Sequence, residues 1–301
     1  MLPYLDEARV RALLRLEDLI PVMERALIDL SAGRIAQPPR QMLAAPSPGA
    51  HFAAMPAAGA VGMGAKLVSI YPANAALGLP THLALIVLFR PETGEPLAVM
   101  DGRLITEMRT AAVSAVATRA LSRPDSRVLA ILGSGVQARS HVEALRLVRD
   151  FAEVRVWSRT AAHAERFAAE TNVVVAGSAE AAVRDADVIV TATAAKTPVL
   201  AGAWLKLGAH VNAIGWAGPE GRELDDAAMR RSVVVADTRE GVMNESGDVL
   251  LSGAAIHAEL GEILAGMRGV PEGATTVFES VGMAVEDVAA AKLVHDRLQG
   301  G

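Results

Sequence analysis

The strongest constraint on the fold of this chain is a strand that runs straight into a glycine-rich turn and then into a helix. Val128–Leu132 is a continuous aliphatic run, Gly133-Ser134-Gly135-Val136-Gln137-Ala138 follows with the spacing G-x-G-x-x-[GA], and a helical pattern continues through Leu147. In that setting each small residue has a task. Gly133 permits the tight turn, Gly135 lets a backbone approach a pyrophosphate, and Ala138 allows the helix to pack close to the strand while its N-terminus faces the anion. Such a turn implies a βαβ unit and a nucleotide crevice. The rest of the region agrees. Arg127–Leu132, Val154–Trp157, Val173–Val175, Val188–Thr191, 209–214 and Val233–Ala236 are aliphatic runs separated by helical segments, as strands covered on both faces require. This alternation predicts an α/β fold, a Rossmann-type doubly wound parallel sheet, with Thr275–Phe278 near its end and a helix over 283–298.

The first third reads differently. Residues 16–32 carry Leu16, Leu19, Ile20, Met23, Leu27 and Leu30 at helical spacing, with Gly33 as C-cap. Apolar runs around 39–44, 50–55, 61–70, 82–89 and 96–100 follow, punctuated by prolines, and predict a mostly antiparallel sheet. A helix over about 103–121 leads to Ser122-Arg123-Pro124-Asp125-Ser126, where the composition shifts. With 301 residues, two domains are expected, 1–122 and 123–282, with a C-terminal helix 283–301.

Several function classes fall away. The net charge is −5 with no basic cluster, which argues against nucleic acid as a partner. Apolar runs are broken before the ~20 residues that span a bilayer, so no membrane span is expected. The chain has no Cys, which removes disulfides and thiolate chemistry, and no metal motif. Its N-terminus, MLPYLDEARVRALL, carries acids where a secretion signal needs a basic start, so the expected location is the cytoplasm.

The next strand, ending Val156-Trp157, leads into Ser158-Arg159-Thr160. NAD enzymes place an acid here for the ribose 2′-hydroxyl, whereas Ser158, Arg159 and Thr160 supply donors and positive charge suited to a 2′-phosphate. The expected cofactor is NADPH, with NADH as the alternative. Thr191 and Thr193 close another strand at the carboxyl edge of the sheet, where they line the expected crevice. Outside the fingerprint, Arg40, Lys66 and Arg109 occupy segments that together point to a cationic pocket for a small carboxylate. His141, on the helix after the fingerprint, reads as packing. His82 reads as structural, and Glu245 and Asp248 as helix caps.

The sequence resembles the ornithine cyclodeaminase/mu-crystallin family over nearly its whole length. The matching segments are Lys66-Leu67-Val68 with Tyr71-Pro72-x-Asn74, Met100-Asp101-Gly102 through Arg109-Thr110-Ala111-Ala112, and the fingerprint itself. Trp157-Ser158-Arg159-Thr160, Glu245-Ser246-Gly247-Asp248-Val249 and Gly282-Met283-Ala284-Val285-Glu286-Asp287 match as well. The resemblance implies a Rossmann domain, a dimerisation and substrate domain that the C-terminal helix completes, and a homodimer. It assigns Arg40, Lys66 and Arg109 to the substrate carboxylate, makes Lys66 a candidate proton donor, and gives Thr110 to the cofactor. The implied substrates are amino acids, 2-oxo acids with amines, or cyclic ketimines.

One position departs from the family's cyclodeaminases. They carry an Asp two residues after the Gly that ends a late Rossmann strand, and the matching position in Gly215-Trp216-Ala217-Gly218-Pro219 is Ala217. A methyl group can neither hold an ammonium nor shuttle its proton. Arg222-Glu223-Leu224-Asp225 returns to the pattern of the reductase-like members. The expectation is an NAD(P)H-dependent imine or ketimine reductase, or amino acid dehydrogenase. The alternatives are an ornithine cyclodeaminase and a non-catalytic, crystallin-like binding protein.

Overall fold

A computed structural model describes residues 2–215 and 218–300. The chain divides into two compact units, Met1–Arg109 with Met283–Gly301, and Thr110–Gly282. The first begins with β1 (Tyr4–Leu5), α1 (Glu7–Leu13) and α2 (Leu16–Ser31). Strands β2 (Ile35–Ala36), β3 (Gln41–Ala44), β4 (His51–Gly59), β5 (Gly62–Ile70), β6 (His82–Phe89) and β7 (Pro96–Asp101) follow. They form one sheet in the order β1-β7-β6-β5-β4-β2, with β3 also on β4. Only the β1–β7 pair is parallel. Alternation along β5 sends Gly64, Lys66, Val68 and Ile70 to the buried face and Leu67 to the exposed one.

That buried face carries the C-terminal helix. A Cβ on Gly64 would meet the Val87 carbonyl at 2.5 Å and the Val288 side chain at 3.4 Å, so the missing side chain lets sheet and helix approach closely.

The second unit opens within α3 (Arg103–Leu121) and continues through β8 (Val128–Leu132), α4 (Val136–Arg146), β9 (Glu153–Trp157), α5 (Ala161–Thr171) and β10 (Val174–Val175). Next come α6 (Ala179–Val183), β11 (Val188–Thr191), β12 (His210–Ala213), α7 (Asp226–Arg230) and β13 (Val233–Ala236). The unit ends with α8 (Arg239–Glu245), α9 (Gly247–Ser252), β14 (Ile256–Glu259), α10 (Leu260–Leu264) and β15 (Thr276–Glu279). Helix α11 (Ala284–Gly300) belongs to the first unit. The eight strands make an all-parallel sheet in the order β10-β9-β8-β11-β12-β15-β13-β14. From β8 the chain winds outward to β10, then returns to β11 on the other side of β8. That reversal is the switch point where such sheets open a crevice at their carboxyl edge.

Three expectations need correction. The division falls at Arg109/Thr110 inside α3, not at 122/123, because the second half of α3 is tied into the second unit. Ser114 Oγ lies 2.9 Å from His141 Nε2, and Thr118 Oγ1 accepts from Asn212 Nδ2 at 2.9 Å. Strand β14, unmarked in the apolar pattern, adds an edge strand to the sheet, while β15, the last strand in the chain as expected, lies inside it between β12 and β13. Helix α11 is not a simple amphipathic helix: its residues Ala284 through Ala291 are all buried. Among the described residues, no helix is long and apolar enough to cross a membrane.

Candidate active site

In the first unit, strand, helix and sheet bring together charges that are far apart in sequence. Lys66, on the buried face of β5, is 3% exposed, and its Nζ lies 2.6 Å from Asp287 Oδ2 in the first turn of α11. Arg109, 4% exposed, donates from Nε to Asp287 Oδ1 at 3.1 Å and from Nη1 to Glu286 Oε2 at 2.5 Å. Glu286 and Asp287 are fully buried. Gln37 fixes the start of α11, its Oε1 accepting from Val285 N at 2.7 Å.

Burial pushes the Lys66 pKa down to about 8, opposed by Asp287 and reinforced by the positive charge of Arg109 and Arg40. The same three cations act on His82. Desolvation and then the charges of Lys66, Arg40 and Arg109 lower its pKa to about 4, so its imidazole is neutral at pH 7. Arg40 therefore belongs electrostatically to this cluster. Counting Lys66, Arg109 and Arg40 against Glu286 and Asp287 leaves one net positive charge, which suits a monocarboxylate.

In the second unit, the fingerprint has the geometry that its residues require. Gly133 has φ +121°, where a side chain is strained, and a Cβ there would lie 2.4 Å from the Ala192 carbonyl. Gly135 is the N-cap of α4, and nothing stands within 4 Å of where its Cβ would be, so a ligand has room to approach the backbone. Val136 is 49% exposed, while Ala138 is buried. Gln137 Oε1 is buried with no hydrogen-bond partner in the protein. An open cradle at a helix N-terminus beside an unsatisfied buried acceptor fits a bound dinucleotide.

Ser158 Oγ bonds Ser134 Oγ at 3.0 Å, which brings the loop after β9 to the fingerprint turn. Arg159 and Thr160 are exposed, and the Thr160 side chain makes no capping bond to α5. Thr110 and Thr191 are buried. Thr193 donates its N–H and its hydroxyl to Glu223 Oε1, at 2.7 and 2.5 Å. Ala217 and its neighbour Trp216 lie outside the described residues.

His141 is a packing residue: it is fully buried, bonds the Gln137 carbonyl and Ser114, and burial lowers its pKa to about 4. Asp248, expected as a cap, instead accepts from the N–H groups of Glu223 and Leu224, and Ser246 caps α9. Sequence reasoning missed the roles of Glu286, Asp287 and Glu223. The first two form an acidic pair at a helix start just after Gly282, a pattern that usually signals only a favourable helix dipole.

A Rossmann sheet whose first βα turn is an open glycine cradle, in a chain with a buried lysine–arginine–carboxylate cluster, defines an NAD(P)-dependent oxidoreductase. The sequence and fold comparisons make this more specific. The chain belongs to the ornithine cyclodeaminase/mu-crystallin family, whose model matches residues 4–301. It is 48% identical to the ketimine reductase mu-crystallin of Mus musculus over 290 residues, covering 94% of this chain and 93% of that one. Its fold superposes with a TM-score of 0.94 on Thermococcus litoralis Δ1-pyrroline-2-carboxylate reductase in complex with NADH and L-proline. That protein is 36% identical, with 100% and 98% of the two chains covered. An archaeal alanine dehydrogenase dimer with bound NAD gives the same TM-score at 33% identity, covering 99% and 96%.

Proposed function

We propose that this chain uses NADPH to reduce the C=N bond of a small imino acid carboxylate, a cyclic ketimine of the pyrroline- or piperideine-2-carboxylate type, and catalyses the reverse oxidation of the matching amino acid. The observation that carries this reading is the buried Lys66 ammonium, paired with Asp287 and coupled to Arg109 and Arg40. Arg40 and Arg109 provide planar donors that orient a carboxylate. Lys66 polarises the imine nitrogen and gives it a proton, and Asp287 keeps the ammonium charged at neutral pH despite burial. When bound, the nicotinamide supplies the hydride.

Gly133, Gly135, Val136, Gln137 and Ala138 hold the pyrophosphate, Thr110, Thr191 and Thr193 line the rest of the cofactor site, and Ser158, Arg159 and Thr160 take the 2′-phosphate. The names of the mouse and T. litoralis relatives support imine chemistry, and L-proline carries both groups for which the cluster is built, a carboxylate and a ring nitrogen. Cyclisation of ornithine needs a group to manage a second amine, and position 217 is Ala.

The protein works in the cytoplasm as a homodimer. Leu43, Phe52, Leu67, Leu83 and Leu85 stand 36–65% exposed on the outer face of β3–β6, with Leu67 directly opposite Leu85. A contiguous apolar face of this kind suits a second copy, and light scattering at micromolar concentration is expected to give twice the chain mass.

The reaction is tested by following NADPH oxidation with pyrroline-2-carboxylate, piperideine-2-carboxylate, pyruvate plus methylamine, and iminosuccinate precursors. Turnover with a cyclic imine is expected. Failure with every imine while ornithine releases ammonia with NAD would reverse the assignment.

A further inference from the structure

Glu223 is a buried carboxylate, 1% exposed, with no part in the chemistry above. Its two oxygens reach two different loops. Oε1 accepts from the N–H and hydroxyl of Thr193, two residues beyond β11, and Oε2 accepts from Gly215 N at 3.0 Å, two residues beyond β12. Neighbouring contacts extend this arrangement to the fingerprint. Ala192, adjacent to Thr193, donates its N–H to the Leu132 carbonyl at 2.9 Å, and its own carbonyl stands where a Cβ on Gly133 would be. A Cβ on Gly215 would lie 2.2 Å from Glu223 Oε2 and 2.4 Å from the Thr193 carbonyl.

The carboxylate is itself held in place. Asp248 accepts from the N–H groups of Glu223 and Leu224, at 3.0 and 2.7 Å, and the Glu223 carbonyl accepts from Val199 and Leu200.

We infer that Glu223 is the positioning residue of the dinucleotide crevice: its ionised carboxylate clasps the loops after β11 and β12 and so fixes the wall against which the Gly133 turn rests. The inference rests on the dinucleotide reading of that crevice. Both oxygens already accept a backbone N–H, a group that can only donate, so a proton on the carboxylate weakens one of the two clasps.

The surroundings put that proton within reach of ordinary pH. Burial raises the Glu223 pKa to about 7, opposed by the Thr193 bonds and reinforced by Asp248. Glu223 lines a small pocket together with Arg222, Glu245, Asp248 and Glu279. Burial also raises Asp248, to about 6, and Glu279, whose Oε1 has no hydrogen-bond partner. Asp237, the residue after β13, adds negative charge against Glu279. Sign follows directly. Cofactor binding favours the ionised clasp, so affinity is present above pH 7 and falls as pH drops through it.

The test measures NADPH binding by fluorescence titration from pH 6 to 8.5 for the unaltered protein, Glu223→Gln and Thr193→Val, with thermal melting alongside. The unaltered protein is expected to bind more weakly at pH 6 than at pH 8. Glu223→Gln offers one acceptor oxygen where two are needed, and should weaken NADPH binding by about tenfold at pH 8, with most of the pH dependence lost. Thr193→Val keeps the N–H bond to Glu223 but removes both hydroxyl bonds, the one donated to Glu223 Oε1 and the one accepted from Ala195 N at 3.1 Å, and should weaken binding by roughly threefold with the fold retained, so it carries the test if Glu223→Gln folds poorly. Unchanged affinity and an unchanged pH profile in a folded Glu223→Gln, or in Thr193→Val if Glu223→Gln does not fold, would overturn the role. Absence of NADPH and NADH binding by the unaltered protein would overturn the dinucleotide reading, and this role with it.

Discussion

The two units solve recognition with different materials. The Rossmann unit builds its crevice from backbone and from missing side chains: Gly133 at φ +121°, open space beside Gly135, and N–H groups at the start of α4. The first unit builds its site from side-chain charge, with Lys66 and Arg109 buried against Asp287 and Glu286. A backbone site tolerates change in most of its side chains but not in chain geometry. A charge site depends on every partner, because removing one leaves another buried and uncompensated. The two units should therefore fail in different ways, and the largest loss should come from the charge cluster.

Asp287→Ala strips the ammonium of Lys66 and one side of the Arg109 guanidinium of their partner. A loss of about 3–5 kcal/mol in unfolding free energy is expected in denaturant titration. A loss below about 1 kcal/mol, the scale of surface pairs, would show that the cluster is solvated and that the contrast between the units is false.

Lys66→Met removes charge while keeping a similar stem, and kcat/KM for imine reduction should fall by on the order of 10²–10³. The pH profile sharpens the point. Reduction needs protonated Lys66, so kcat/KM should decline as pH rises through about 8, and Lys66→Arg, which stays charged, should lack that limb. The stability sign is opposite in kind. A lysine whose folded pKa is lowered costs stability wherever the unfolded chain binds the proton more tightly, so this cost diminishes as pH rises from about 8 toward 10.5.

The smallest effect belongs to the backbone site. Arg159→Asp touches only the exposed loop after β9, so it should leave melting nearly unchanged yet weaken NADPH binding by roughly tenfold to a hundredfold and reverse the preference toward NADH. Equal affinity of the unaltered protein for both cofactors would remove the argument from Ser158-Arg159-Thr160.

The same contrast explains what was legible in the sequence. A backbone site is written in consecutive residues, and the strand, the glycine turn and the helix at 128–146 could be read from spacing alone. A charge site is written across the chain. Lys66 and Arg109 could be picked out, but their partners in α11 lie 221 and 178 residues away from them in Asp287, and no local pattern reports that pairing. Glu223 stood in the matching segment Arg222-Glu223-Leu224-Asp225, but its role stayed hidden because Thr193 and Gly215, which its carboxylate holds, lie 30 and 8 residues away. Strand β14 escaped because Ile256-His257-Ala258-Glu259, no shorter than β11 or β13, is too polar to stand out from its flanks. The division inside α3 escaped because a continuous helix carries no mark of which unit buries each half.

Net reduction of a preformed imine leaves an isotopic signature in its product. With NADPH deuterated at the transferring position, pyrroline-2-carboxylate should yield proline carrying one deuterium at its α-carbon, with one NADPH consumed per proline. Ornithine supplied with NAD should release negligible ammonia. Proline and ammonia formed from ornithine without net cofactor consumption, together with no deuterium transfer to the imine, would contradict the account.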